Sequence, residues 1–130
     1  MSFAVIDAGI AIGWMQGRHR SLAKLDRPLR SCRNGQTELV ISVVNLAEVL
    51  MHTAELSRAT GVDVVALLTA SRVRVHQPDE AIARRVAKLR TSLADGFAAA
   101  TAQELGARLH TTDAELVRQL RGTRLPITHY

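Results

Sequence analysis

Scarce residue types already narrow the function of this chain. Cys32 is the single cysteine among 130 residues, so no disulfide forms within the chain and a reducing compartment, the cytoplasm, is expected. Two Phe, one Trp and one Tyr are too few for a single-strand binder built on stacked aromatic side chains. No apolar run reaches the roughly 18 residues that a membrane-spanning helix needs. The apolar N-terminal segment lacks a leading basic region and contains Asp7, so no signal peptide is expected.

Basic residues outnumber acidic ones, which favours a polyanionic partner. Lys and Arg number 17 against 12 Asp and Glu, and the formal net charge is +5 at pH 7. An excess of this kind is typical of proteins that contact nucleic acid, although many other domains share it. The candidates for phosphate contacts lie just after the N-terminal segment and are Arg18, Arg20 and Lys24. A solvated helix face or loop would have the same composition, so both interpretations remain open.

Hydrophobic spacing predicts strands that alternate with helices. Short apolar or alternating runs predict strands at residues 3–6, 37–44, 72–76, 107–112 and 124–129. Helical spacing occupies the intervals, namely residues 8–17, 21–32, 45–60, 62–71, 78–90, 92–105 and 113–122. This alternation predicts an α/β fold of three layers, with a mostly parallel central sheet of about five short strands flanked by helices. In such sheets ligands bind beyond the carboxyl ends of the strands.

Four acidic residues occupy positions where such a ligand would lie. Asp7 ends the first predicted strand, and Asp113 directly follows the fourth. Glu48 is predicted in the first turn of the helix after the second strand, and Asp95 in the first turn of the helix that begins near Ser92. Because the carboxyl ends of parallel strands share one edge of a sheet, we expect these acids to gather there.

Helix capping and metal binding are the two interpretations of these acids. Asn45 with Glu48, and Ser92 with Asp95, fit the spacing of a capping box, and Asp113 fits an N-cap. Four adjacent carboxylates would nevertheless repel one another unless a cation neutralised them or one of them held a proton. An all-oxygen donor set without His or Cys favours Mg²⁺ or Mn²⁺, and such a site suits phosphodiester hydrolysis.

Three segments resemble the signature blocks of PIN-domain nucleases, and the VapC-type toxins of bacterial toxin–antitoxin pairs in particular. They are VIDAGIAIGWM at residues 5–15, ISVVNLAEVL at 41–50 and SLADGFAAATAQELGARLHTTDAEL at 92–116. The resemblance implies a single PIN domain over residues 1–130. It also implies a ribonuclease that depends on Mg²⁺ or Mn²⁺, cleaves RNA, forms a homodimer and is neutralised by a cognate antitoxin protein.

The same resemblance assigns roles to individual residues. Asp7, Glu48, Asp95 and Asp113 match the acidic quartet of the family. By this correspondence Asp7, Asp95 and Asp113 would be the metal ligands, and Glu48 would bind a second cation or orient the attacking water. Thr112 matches a position where a hydroxyl supports the site, although a helix-cap residue would look the same.

Three features depart from the family pattern. Gly9 stands where the family often has Ser or Thr, and Asn45 stands where it often has Thr. The connection KLRTSLAD at residues 88–95 leaves almost no loop before Asp95, which would shift that residue relative to Asp7. Such a shift would favour the alternative function, a PIN-fold binding or regulatory protein without turnover. A receiver-like phospho-acceptor domain is disfavoured, because the chain lacks an N-terminal acidic pair and a suitably placed lysine.

Overall fold

The computed structural model describes residues 2–16 and 34–130, where strands alternate with helices as predicted. The strands in these residues are β1 (Ser2–Ile6), β2 (Thr37–Ser42), β3 (Val73–His76), β4 (Arg108–Thr111) and β5 (Ile127–His129). The helices in the same residues are α1 (Ala8–Met15), α2 (Val43–Thr60), α3 (Val64–Ala70), α4 (Glu80–Leu89), α5 (Leu93–Leu105) and α6 (Ala114–Gln119). The helix predicted at 21–32 lies outside the described residues.

The central sheet is parallel throughout and has the strand order β3-β2-β1-β4-β5. Alternate residues of β1 enter different cores. Ala4 and Ile6 pack with residues of α1, α2 and α3 on one face, whereas Val5 packs with residues of α5 and α6 on the other. Helices therefore cover both faces, which confirms the predicted three-layer α/β fold. None of the helices that the structure describes is long and apolar enough to cross a bilayer.

The boundary between β2 and α2 differs from the prediction. The strand was expected to reach residue 44, but it ends at Ser42, whose hydroxyl caps α2 by accepting a hydrogen bond from the Val44 N–H. The proposed capping box of Asn45 and Glu48 is therefore wrong, and Glu48 lies in the second turn of the helix. Val43 and Val44 continue the apolar run of β2, so hydrophobicity alone does not mark the boundary between the strand and the helix.

The short connection between α4 and α5 depends on a glycine. Only residues 90–92 separate the two helices, and Arg90 adopts a left-handed backbone conformation with φ of 55°. A Cβ atom on Gly96 would lie 2.8 Å from Val86 Cγ1 and 2.9 Å from Thr91 Oγ1. The missing side chain thus lets α4 pack closely against the first turn of α5. That turn carries Asp95.

Candidate functional site

A cleft of about 390 Å³ opens beyond the carboxyl ends of β1 and β4. These neighbouring strands lie where the order of the sheet reverses direction, which is the usual ligand position in open α/β sheets. The lining residues are Asp7, Ala8, Gly9, Glu48, Asp95, Thr112 and Asp113. All four predicted acids and the predicted supporting threonine therefore line one cleft. The short connection before Asp95 does not remove that residue from it.

Asp7 is the buried member of the four acids, with 4% of its surface exposed. Its Oδ1 accepts a hydrogen bond of 2.9 Å from the Ile10 N–H and so caps α1, while its Oδ2 accepts a hydrogen bond from the Thr111 hydroxyl. Burial raises the pKa of Asp7 from 3.8 to about 6, and the two hydrogen bonds oppose this rise. The negative charges of Asp95 and Asp113 raise the pKa of Asp7 further. The three aspartates are thus close enough to interact electrostatically.

Asp113 and Asp95 each use part of a carboxylate for local structure. Asp113 Oδ1 accepts hydrogen bonds from the Glu115 N–H at 2.9 Å and the Leu116 N–H at 3.2 Å, so it is the N-cap of α6. The Ser92 hydroxyl donates to Asp95 Oδ2 at 2.7 Å instead of capping α5. Helix capping is therefore real at Asp7 and Asp113. It does not remove either residue from the cleft.

Glu48 reaches the cleft from the exposed side of α2. The Asn45 amide nitrogen lies 3.4 Å from Glu48 Oε1 and donates to it, and the same nitrogen donates to the Ala94 carbonyl at 3.0 Å. Asn45 is itself buried, with 1% of its surface exposed. The contact between Asn45 and Glu48 is therefore a side-chain link at the edge of the cleft, and it contributes nothing to capping.

The negative charge of the cleft has no basic partner in the part of the chain that the structure describes. The ion pairs found there join other acids and are Arg58–Glu55, Arg74–Glu38, Arg84–Glu80, Arg85–Glu104 and Arg118–Glu115. The predicted phosphate-contacting residues Arg18, Arg20 and Lys24 lie outside the described residues. Among described side chains, the cleft is thus an uncompensated acidic surface, which favours a cationic ligand.

The donor chemistry fits a hard divalent cation, although the carboxylates are not gathered around one point. Among residues 2–16 and 34–130, no three His, Cys, Asp or Glu side chains are already placed to hold one ion. Asp95 and Asp113 each have one carboxylate oxygen engaged in a local hydrogen bond, with the Ser92 hydroxyl and with the start of α6 respectively. Asp95 Oδ1 and Asp113 Oδ2 nevertheless accept no hydrogen bond from any described residue, so both remain free to bind a ligand. The oxygen-only set suits Mg²⁺ or Mn²⁺.

Two threonines support the cleft in different ways. Thr111, which sequence reasoning missed, donates its hydroxyl to Asp7 and accepts a hydrogen bond of 3.0 Å from the Asp113 N–H. Ile6 of β1 pairs with His110 of β4, so the residues that follow them, Asp7 and Thr111, are neighbours. The sequence alone does not show this register, and for that reason the role of Thr111 was not predicted. Thr112 Oγ1 would lie 2.6 Å from a Cβ atom on Gly9. The space of a side chain at residue 9 is therefore already filled by a hydroxyl.

Residues 4–120 match the family model described as PIN domain. The chain belongs to the PIN domain family. No curated protein sequence matches the sequence of this PIN domain. The expected family is thus confirmed by a match that covers most of the chain and includes all four acids.

Solved structures similar to this PIN domain come from several bacteria. VapBC-1 from nontypeable Haemophilus influenzae is 22% identical, with a TM-score of 0.69, and the match covers 98% of this chain and 97% of that one. A toxin–antitoxin complex from Klebsiella pneumoniae is 21% identical, with a TM-score of 0.71 and 98% of both chains covered. DNA-bound VapBC from Salmonella typhimurium is 20% identical, with a TM-score of 0.71, over 99% of this chain and 98% of that one. At these identities the likeness establishes the fold.

Proposed function

We propose that this PIN domain is a ribonuclease that depends on Mg²⁺ or Mn²⁺ and acts as the toxin of a toxin–antitoxin pair. The observation that carries the proposal is the common cleft of Asp7, Glu48, Asp95 and Asp113, which no described basic side chain neutralises. Oxygen ligands at the carboxyl edge of a parallel sheet suit a divalent cation and a phosphodiester substrate. Cleavage of RNA would place the protein in the cytoplasm, in keeping with its single cysteine.

The four acids would have different roles in the reaction because their surroundings differ. Asp7, Asp95 and Asp113 would hold the cation, which when bound would supply positive charge against the developing charge of the phosphodiester. The hydroxyl of Thr111 and the N–H of Ile10 fix both oxygens of Asp7 and favour its ionised form. Glu48 is exposed and lies within α2, whereas the three aspartates lie at the starts of α1, α5 and α6. It would therefore bind a second cation or orient the attacking water.

An antitoxin would neutralise the toxin, and an apolar groove offers a place for it. The groove has a volume of about 190 Å³ and is lined by Met15, Gln16, Thr53, Leu56, Ser57, Thr60, Val62, Val64 and Leu67. Leu56 is 53% exposed and Leu67 is 44% exposed, so a partner would bury apolar surface there. The antitoxin is proposed because solved structures with this fold are described as VapBC and as a toxin–antitoxin complex. A homodimer is proposed from the family resemblance.

Cleavage of total RNA by the purified protein tests the function. We expect fragments with Mg²⁺ or Mn²⁺ and none with EDTA. Asp95→Asn should lower the cleavage rate by more than the roughly 10–100-fold loss that is common when outer partners of a metal site are removed. Asp79→Asn is the matched control, because Asp79 also lies at a helix start, accepting from the Ile82 N–H at 3.0 Å, but does not line the cleft.

The outcome also decides between the two candidate functions. If the wild-type protein binds RNA but yields no metal-dependent fragments, the alternative of a PIN-fold binding protein without turnover is correct. If Asp95→Asn cleaves as fast as Asp79→Asn does, the assignment of the site is wrong even though the protein is a nuclease.

A further inference from the structure

Asn45 joins the two helices that carry Glu48 and Asp95. Its amide nitrogen donates to the Ala94 carbonyl at 3.0 Å, in the first turn of α5, and to Glu48 Oε1 at 3.4 Å. Both neighbours are acceptors, so the nitrogen of the amide must face them and the opposite orientation of the amide is excluded. Among the described residues, this nitrogen is the only hydrogen-bond partner of the Glu48 carboxylate.

The Asn45 side chain carries a buried oxygen, unpaired among the described residues, that lowers the stability of the fold, which indicates that this residue does not serve stability. The Asn45 side-chain oxygen is buried and has no hydrogen-bond partner in the described part of the chain. A buried acceptor without a partner destabilises a protein, and an apolar side chain of similar shape would avoid that cost. The Ala94 carbonyl would remain satisfied within α5, and Glu48 is exposed to solvent. A leucine would therefore suit the fold at least as well as the asparagine does.

We propose that Asn45 is a positioning residue of the acidic cleft. The amide ties the start of α5 to α2 and holds an otherwise exposed carboxylate toward the cleft, so Glu48 and Asp95 keep a fixed separation across it. Outer partners of this kind orient the groups that bind a metal ion and raise its affinity. The inference rests on the proposed function, because it assigns Asn45 to the same metal site.

Two substitutions with the same effect on the core but different effects on the cleft test the inference. Asn45→Leu removes the amide together with its unpaired oxygen. Thr101→Val removes another buried, unpaired oxygen from α5, at a residue that does not line the cleft. Binding of Mn²⁺ without RNA is measured by isothermal titration calorimetry. Urea unfolding with EDTA and steady-state RNA cleavage are measured on the same samples.

We expect both variants to be as stable as the wild type or more stable. Asn45→Leu should bind Mn²⁺ about 10-fold or more weakly and lower kcat by roughly 10–100-fold, with KM for RNA changed by less than about 3-fold. Thr101→Val should match the wild type in Mn²⁺ affinity and in kcat. Asn45→Ser, whose side chain is too short to join the two helices, should change Mn²⁺ affinity in the same direction. The Asn45→Ser variant replaces Asn45→Leu in these measurements if the leucine variant does not fold.

Equal Mn²⁺ affinity and kcat in Asn45→Leu and Thr101→Val would overturn the inference while leaving the proposed function intact. The proposed function fails by a different result: the wild-type protein gives no metal-dependent RNA fragments, or it binds Mn²⁺ no more tightly than Asp7→Asn does. Either outcome would overturn the role of Asn45 as well.

Discussion

Asp7→Asn is expected to stabilise the metal-free protein at neutral pH. The pKa of Asp7 lies near 6 in the folded chain, against 3.8 for a free side chain, mainly because the carboxyl is buried. At roughly 1.4 kcal/mol for each pKa unit, ionised Asp7 costs about 3 kcal/mol. Compared with protonated Asp7, asparagine still accepts from the Ile10 N–H but loses a neutral hydrogen bond with Thr111, a loss of about 1 kcal/mol. The net gain in the free energy of unfolding is therefore about 2 kcal/mol.

Replacing Asp7 also changes how the free energy of unfolding depends on pH. Between pH 3.8 and about 6 the folded state binds more protons at Asp7 than the unfolded state does, so this residue makes stability fall as pH rises. His110 acts in the opposite direction. Its burial, and secondarily the charge of Arg108, lower its pKa from 6.5 to about 4, so its contribution is lost as pH falls through that interval. The two slopes oppose each other in the wild type, and Asp7→Asn leaves the rise with pH that His110 causes unopposed by residue 7.

Urea unfolding in EDTA at several values between about pH 4 and pH 8 measures both effects. Asp63→Asn is the control, because the exposed Asp63 carboxylate caps α3 outside the cleft through the Val65 and Ala66 N–H groups. We expect this control to change stability by less than about 0.5 kcal/mol, since Asn and Asp cap helices equally well. A lower stability of Asp7→Asn near pH 7.5, or a difference from the wild type that is independent of pH, would refute the reasoning. Added Mn²⁺ should stabilise the wild type and the Asp63→Asn control, but not Asp7→Asn.

Two further substitutions test packing, one in α5 and one beside β4. Gly96→Ala should lower the free energy of unfolding by about 1–3 kcal/mol, because the new methyl group would overlap Val86 and Thr91; a urea midpoint equal to that of the wild type would contradict this. Tyr130→Phe should cost about 1–3 kcal/mol, because it removes the hydroxyl that lies 2.6 Å from His110 Nδ1 and leaves a buried nitrogen unpaired. A loss below about 0.5 kcal/mol in thermal or urea unfolding would show that water replaces the hydroxyl.

Prediction from sequence succeeded where a local pattern has one physical cause. A short apolar run that ends at Asp7 specifies a buried strand, and alternating strands and helices specify a parallel sheet with helices on both faces. The acids follow from the same rule, because strand ends meet at one edge of such a sheet. Prediction failed at the start of α2, because Val43 and Val44 are equally suited to a strand and to a buried helical turn. Only the cap at Ser42 decides between these states.

The sequence by itself determined the α/β class, the alternating order of strands and helices and the identity of the acids that line the cleft. The tertiary structure decided which groups surround each acid, because those neighbours come from distant segments. The pairing of β1 with β4 places Thr111 beside Asp7, and the packing of α2 on α5 places Asn45 against Ala94. Burial, and with it the raised pKa of Asp7, likewise exists only after these elements pack together, because desolvation depends on surrounding atoms from the whole fold.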